Sequence, residues 1–135
     1  MQPEKAEEVR SWLSKAETDL RAAEVDLAAA PPLLEDALFH CQQAAEKSLK
    51  AFLTAHDSPF QKTHDLDELA AACGHIDPTL EKEVDSARDL TAYAWQFRYP
   101  GQPAEPSREE TEKALQVARR TVGAVLSRMA EGARP

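Results

Sequence analysis

The sequence contains little glycine and cysteine and no long apolar run, and each of these shortages excludes a class of protein. Its four glycines form no phosphate-binding loop, and there is no HExxH, CxxC or GxSxG motif. The two cysteines, Cys41 and Cys73, lack metal-type spacing and are predicted to be reduced and buried. No stretch approaches the roughly 20 apolar residues that span a bilayer, and the charged N-terminus lacks the apolar core of a signal peptide. We therefore expect a cytoplasmic protein without membrane contact.

The chain is acidic, with 24 acidic against 16 basic residues and a net charge of −8. Such a field repels a phosphate backbone, so it excludes a protein that coats nucleic acid, and any anion-binding site must be local. No two of the four histidines have metal-ligand spacing on one helix face, so we expect no metal site and no cofactor. The hydrophobic content of 42% and charged content of 30% predict one globular domain over residues 1–135.

The most informative stretch is residues 35–55, which contains neither proline nor glycine and is rich in strong helix formers. Its apolar residues recur at spacings of three and four and predict one buried helix face: Leu38, Cys41, Ala45, Leu49 and Phe52. Gln43, Lys47 and Lys50 are predicted to project from the opposite side, with Glu46 between the two faces. Because Phe39 and His40 share that polar side, we expect it to contact something other than water, and a symmetric homodimer is one way to cover it.

Four further helices are predicted. The first begins at Pro3 and ends before Pro31, with an apolar seam of heptad type. A short helix is capped by Asp65, with Glu68 reaching back, and Gly74 is placed to end it. The next runs from Pro78 to Phe97, and a surface loop over residues 100–106 follows. Ser107 and Glu110 cap the last helix, Gly132 ends it, and residues 133–135 are expected to fray. The pattern predicts an all-α antiparallel up-and-down bundle of about five helices.

Three polar groups are candidates for a functional site, although each has a structural explanation. The first group comprises Gln43, Glu46, Lys47 and Lys50, where Glu46 and Lys50 form an ordinary i,i+4 pair of a solvated face. The second is Lys62-Thr63-His64-Asp65, where a local hydrogen bond to the loop explains the histidine. The third is Arg98-Tyr99-Pro100, where an arginine at a helix C-terminus complements the helix dipole.

In this order, the three groups resemble the HEPN domain family, and the resemblance covers nearly the whole chain. It begins in the first helix with Trp12, Lys15, Ala16, Asp19 and Leu20. The central helix resembles the QxAEKxLKA signature through Phe39, His40, Gln42, Gln43, Ala44, Glu46, Lys47, Leu49, Lys50 and Ala51. Residues 62–66 resemble the family's KTHDL segment, and residues 98–100 its terminal RYP.

The resemblance implies a helical bundle of a family associated with nucleotide binding. HEPN proteins commonly form homodimers, and many are encoded beside a minimal nucleotidyltransferase as a toxin–antitoxin-like pair. Some are metal-independent ribonucleases that use an arginine followed a few residues later by a histidine. Here Arg98 is followed by no histidine, since the last one is His75. We therefore expect no catalytic residues, although His64 could supply an imidazole from another element.

Three hypotheses remain open at this point: a dimeric module that binds a nucleotide or a nucleotidyltransferase partner, a ribonuclease toxin with a rearranged site, and an interaction module without a ligand. For the first, the ligand- or partner-binding candidates are Gln43, Glu46, Lys47, Lys50, Lys62, His64, Asp65, Arg98 and Tyr99. Arg98 has a planar fork suited to phosphate, and Tyr93 or Tyr99 offers a ring on which a base can stack. The alternative is that Arg98 pairs with Glu46 or Asp65 and holds the helices together.

Overall fold

A computed structural model describes residues 1–101 and 105–135. These residues form α1 (Pro3–Ala28), α2 (Leu34–Ala55), α3 (Leu66–Ile76), α4 (Pro78–Glu83) and α5 (Arg108–Leu126), with 3₁₀ segments at Asp85–Ala94 and Glu131–Ala133. No strand occurs in this part of the chain, and the prediction of an all-α helical bundle is confirmed. None of the described helices combines the length and apolarity that crossing a membrane requires.

Helix α2 lies at the centre of the bundle and packs against α1, α3, α5 and the first 3₁₀ segment. Its predicted apolar stripe is buried, and Leu38, Leu49 and Phe52 are each at most 1% exposed. Complete burial of such a side chain stabilises the fold by about 1.5–3 kcal/mol. Cys41 and Cys73 are buried and free, as predicted, and burial raises the pKa of both thiols to about 12.

The prediction of one continuous helix from Pro78 to Phe97 is wrong, because the α-helix ends at Glu83 and a 3₁₀ segment follows. Val84, with φ −103° and ψ 10°, separates the two pieces. Val84, Ala87 and Leu90 recur every three residues, which is the repeat of a 3₁₀ helix, and all three are buried. The tighter winding therefore keeps their apolar side chains on one side, facing the core. Phe97, at φ 67°, lies beyond the segment in a left-handed conformation.

The predicted helix caps are present, but neither is a reciprocal capping box. The Asp65 carboxylate accepts from the backbone N–H groups of Asp67 and Glu68, and the Ser107 hydroxyl accepts from that of Glu110. In a reciprocal box, the Glu68 carboxylate would accept from the backbone N–H of Asp65. This N–H instead donates to the Thr63 hydroxyl. The Glu110 carboxylate instead accepts from the hydroxyl of Tyr93 at 2.6 Å.

Two predicted helix ends also differ from the structure. Gly74 does not end α3, which continues to Ile76; a Cβ atom at this position would lie 2.9 Å from the Cβ atom of Glu81. The glycine thus permits close approach between α3 and α4. The last helix stops at Leu126 rather than at Gly132, and Ala133 is 1% exposed, so the expected fraying does not include this residue. Of the predicted loop over residues 100–106, positions 102–104 lie outside the described residues.

Candidate functional site

The polar side of α2 is covered rather than solvated. Gln42, Glu46 and Lys50 are 0%, 3% and 6% exposed, respectively, so the alternative interpretation of Glu46 and Lys50 as an ordinary pair on a solvated face is wrong. The expectation that this side contacts something other than water is confirmed, because side chains of α1 and of residues 60–64 approach it. The covered polar side forms two neighbouring sets of contacts.

The first set centres on the carboxylate of Glu46. Lys50 Nζ donates to its Oε2 at 2.9 Å, Gln42 Nε2 donates to its Oε1 at 3.0 Å, and His64 Nδ1 lies 2.7 Å from the same Oε1. Burial acts to raise the pKa of Glu46, but the hydrogen bonds from Lys50, His64 and Gln42 together outweigh it and lower the pKa below its ordinary value. We conclude that Glu46 is an ionised carboxylate with both oxygens bonded.

His64 is hydrogen-bonded to two residues of α2 and does not make the hydrogen bond to its own loop that the sequence predicted. Its ring nitrogen reaches Glu46, and its backbone carbonyl accepts from Gln42 Nε2 at 3.1 Å. Gln43 extends the network by donating to Gln42 Oε1 at 2.7 Å. Gln42 is not among the predicted site residues, although it belongs to the signature that carries the resemblance. The His64 side chain is still 66% exposed, so one edge of the ring faces solvent.

The ammonium group of Lys50 donates a hydrogen bond to Glu46 and also lies near two aromatic rings. Its Nζ is 5.7 Å from the centroids of both Trp12 and Phe60, and these rings meet edge to face at 6.2 Å. Cation–π attraction of this kind is strongest where water is excluded. Lys50 is therefore occupied inside the fold and is not a free donor for an anionic ligand.

The second set centres on Asp19, a buried carboxylate on α1 that the sequence does not mark as a site residue. Lys47 Nζ donates to Asp19 Oδ2 at 2.7 Å, and His40 Nδ1 lies 2.8 Å from Oδ1. The other ring nitrogen of His40 lies 3.4 Å from Asp36 Oδ2, one turn earlier in α2. Lys47 is thus also committed within the protein.

Asp26 extends this set toward the link between α1 and α2. The side chain is 8% exposed, and its Oδ2 has no hydrogen-bond partner within the described residues. Burial, a hydrogen bond with the Asp36 carboxyl and the charge of that group raise the pKa of Asp26 to about 6. One oxygen each of Asp26 and Asp36 and a ring nitrogen of His40 all lie within 4.8 Å of one another. We call these three residues the Asp26 cluster; its only sequence signal is the i,i+4 spacing of Asp36 and His40.

Four of the predicted site residues lie outside both sets of contacts. The guanidinium carbon of Arg98 lies 3.7 Å from the centroid of the Phe39 ring, and this arginine makes no ion pair within residues 1–101 and 105–135. It therefore does not form the alternative pair with Glu46 or Asp65. Asp65 caps α3, whereas Lys62 and Tyr99 are exposed. The structure thus brings together Gln43, Glu46, Lys50 and His64, and leaves Arg98 and Tyr99 at the surface.

Comparison with known proteins agrees with this architecture. The model of a family described as "HEPN domain" matches residues 9–128. The protein TT1696 from Thermus thermophilus, known from a crystal structure, is similar with a TM-score of 0.75 and 30% sequence identity. The similarity covers 90% of the present chain and 98% of that one. No curated protein matches the sequence.

Proposed function

This chain belongs to the HEPN domain family, and from that premise we propose that it is a homodimeric, non-catalytic subunit that binds a nucleotide through Arg98. In this proposal it acts in the cytoplasm beside a minimal nucleotidyltransferase, in a toxin–antitoxin-like pair. The dimer, the nucleotide and the partner are expectations that the family resemblance supplies. The surface at Arg98 is the observation on this chain that supports them.

The state of Arg98 carries the proposal. Its guanidinium carbon sits 3.7 Å from the centroid of the Phe39 ring, and it has no carboxylate partner in the described chain. Arg88 contacts three carboxylates and Arg128 contacts two. Arg10, Arg21, Arg120 and Arg134 also lack an ion pair within the described residues, and Arg98 differs from them in its position over an aromatic ring. Stacking on a ring leaves the edge N–H donors available, and those donors match a phosphate in bidentate fashion.

The ring of Tyr99 suits the other half of a nucleotide. Its side chain follows Arg98 directly and is 66% exposed, and nearby Trp95 is 53% exposed. Exposed aromatic rings next to a phosphate-binding arginine are suitable platforms for a base. Trp95 provides exposed apolar surface for the symmetric contact of a homodimer.

The absence of a catalytic role rests on the sequence and on the buried network. No histidine follows Arg98, so the arginine-to-histidine pair of the family's ribonucleases is missing. His64, the candidate for a rearranged site, is hydrogen-bonded to Glu46 and held by Gln42. An imidazole used in this way anchors the loop to α2, which favours a structural role for it.

Titration of the purified protein with ATP and AMP by calorimetry tests the proposal, with Arg98→Ala as the variant and Arg120→Ala as the control. Arg120 is also exposed, but it lies on α5, away from Phe39 and Tyr99 in the sequence. We expect Arg98→Ala to weaken nucleotide binding at least about tenfold, the loss of one charge-assisted pair. The melting temperature should fall by no more than about 4 °C, because a cation–π contact at an exposed site is weak.

Two further results would contradict the proposal. A monomeric mass by light scattering at micromolar concentration rejects the dimer. The second contrary result is that the wild-type protein binds no nucleotide while Arg98→Ala lowers the melting temperature far more than Arg120→Ala. That result would show that Arg98 stabilises the fold and does not bind a ligand. A nucleotidyltransferase that co-purifies from native lysate and is lost with Arg98→Ala would move recognition from the nucleotide to the partner protein.

A further inference from the structure

The Asp26 cluster lies at the link between α1 and α2. Asp26 belongs to the last turn of α1, whereas Asp36 and His40 lie in the first two turns of α2. The short link between them, residues 29–33, turns the chain back, and the backbone N–H of Leu33 donates to the Asp26 carbonyl at 2.9 Å. This turn brings two carboxylates and one imidazole together from two helices.

The cluster has an unmet requirement for positive charge. Asp26 is only 8% exposed, and its Oδ2 is shielded from solvent and accepts no hydrogen bond from the described residues. A buried carboxylate oxygen without a partner costs free energy, and a second carboxylate nearby adds repulsion. Lys47, the cation of the adjoining set, is bonded to Asp19 at 2.7 Å. A bound cation would satisfy both carboxylates.

The imidazole of His40 is oriented as a metal ligand would be. Its Nδ1 faces the Asp19 carboxylate at 2.8 Å, so this nitrogen carries a proton and donates it to Asp19. The other ring nitrogen, Nε2, lies 3.4 Å from Asp36 Oδ2, so it faces the same space as the carboxylates of the cluster. Carboxylate–histidine–metal arrangements fix a ligand's tautomer and ring direction in this way.

We propose that Asp26, Asp36 and His40 bind a divalent transition-metal ion that ties α1 to α2. One imidazole with two carboxylates is a donor set suited to Zn²⁺ or Mn²⁺. Two tetrahedral ligands at about 2.0–2.2 Å from Zn²⁺ lie about 3.4 Å apart, which is the observed separation of His40 Nε2 and Asp36 Oδ2. The three ligand atoms all lie within 4.8 Å of one another, which places them around one common point.

The ion also has a route into the site. The Asp36 carboxylate is 49% exposed, and it lines a surface cavity of about 280 Å³ together with Glu35 and Glu105. These additional carboxylates make the approach electronegative and attract a cation to the mouth of the site. Water entering by the same route can complete the coordination shell.

The test uses the metal-free full chain, prepared with a chelator, and titrates it with Zn²⁺, Mn²⁺ and Mg²⁺ at pH 7.5 by calorimetry and thermal unfolding. We expect one Zn²⁺ or Mn²⁺ ion per chain and a melting temperature that rises with ion concentration. Mg²⁺ should bind more weakly, since it prefers oxygen ligands and its own water shell. Asp36→Asn should weaken Zn²⁺ binding by about 100-fold or more, and Asp19→Asn by about 10–100-fold through the orientation of His40.

Glu17→Gln is the matched control, because it removes one exposed negative charge from α1 without removing a proposed ligand or a carboxylate of the approach. It should retain wild-type Zn²⁺ binding. The inference is overturned if wild-type protein shows no saturable binding of Zn²⁺ or Mn²⁺, or if Asp36→Asn binds as tightly as Glu17→Gln. His75 is an exposed histidine outside the cluster. Loss of Zn²⁺ binding in His75→Gln would also overturn the inference, because the ion would then bind at a surface histidine. Nucleotide binding at Arg98 is a separate measurement and can fail independently.

Discussion

Breaking the buried ion pair between Lys50 and Glu46 should cost far more stability than an i,i+4 pair on a helix surface. The two side chains are 7% and 4% exposed, and their N–O distance is 2.9 Å. Removing one partner of such a pair leaves an uncompensated buried charge and costs about 3–5 kcal/mol. A surface pair of the same spacing is worth about 0.3–0.5 kcal/mol. The difference is large enough to be decided by ordinary unfolding measurements.

The two single substitutions should differ in a predictable way. Lys50→Met leaves Glu46 with His64 and Gln42 as donors, so we expect a loss near the lower limit, about 3 kcal/mol. Glu46→Gln leaves the Lys50 ammonium with two aromatic rings alone, and we expect about 3–5 kcal/mol. In a domain of this size, about 3 kcal/mol lowers the melting temperature by roughly 10 °C.

The double variant tests the reasoning most sharply. Replacing both charges removes the buried ions together, so Glu46→Gln with Lys50→Met should lose much less than the sum of the two single losses. The measurement is urea unfolding of all four proteins, with Glu112→Gln as the control for the exposed i,i+4 pair with Arg108, whose N–O distance is 3.7 Å. Single losses no larger than the control loss, or simple additivity in the double variant, would refute the assignment of a coupled buried pair.

The stability difference between the wild type and Glu46→Gln should depend on pH, because the pKa of Glu46 is lowered in the folded protein. The folded protein keeps this carboxylate ionised below the pH at which it protonates in the unfolded chain. Its stabilising contribution is therefore complete above the unfolded-state pKa, about 4.3, and is lost as the pH falls through the folded-state value. The stability difference between wild type and Glu46→Gln should shrink on acidification below about pH 4.3.

Three further outcomes are expected. Gly74→Ala should lower the melting temperature despite the better helix propensity of alanine, because the new Cβ meets Glu81, whereas Gly123→Ala, with open space around it, should raise the melting temperature. Asp77→Ala should destabilise α4 by removing its cap. Hydrogen bonds from Thr79 and Arg128 lower the pKa of Asp77 to about 2, so the greater stability of the wild type should be complete above the ordinary pKa of 3.8 and should disappear as the pH falls toward 2. Cleavage of single-stranded RNA without metal should be undetectable by gel assay; cleavage abolished by Arg98→Ala would contradict a non-catalytic protein.

The helices could be predicted from the sequence because their signals are local. Spacing of three and four identified the buried stripe of α2, and side chains such as those of Asp65 and Ser107 identified helix starts. The 3₁₀ segment also has a sequence signal, since Val84, Ala87 and Leu90 are three residues apart. Spacings of three fit an α-helix almost as well over so short a stretch, so the distinction depended on the core that receives these residues.

The burial of the polar side of α2 could not be predicted by the same means. Helical spacing gives the direction of Glu46 and Lys50 but not what lies opposite them. The groups that cover this pair are Trp12, 38 residues away from Lys50 in the numbering, and the segment of Phe60 and His64. Only tertiary packing converts an ordinary surface pair into a buried one, with roughly tenfold larger consequences for stability.

The distribution of unmatched charge separates structural from ligand-binding residues in this protein. The carboxylate oxygens of Glu46 and Asp19 are all bonded, so these buried networks hold α1, α2 and residues 60–64 together without capacity for a ligand. Arg98 and the Asp26 cluster differ from these networks in opposite senses. Arg98 is a cation placed over the Phe39 ring without an ion pair, whereas Asp26 Oδ2 is a buried carboxylate oxygen without a hydrogen-bond partner within the described residues. A phosphate at the first and a metal ion at the second would supply the missing partner.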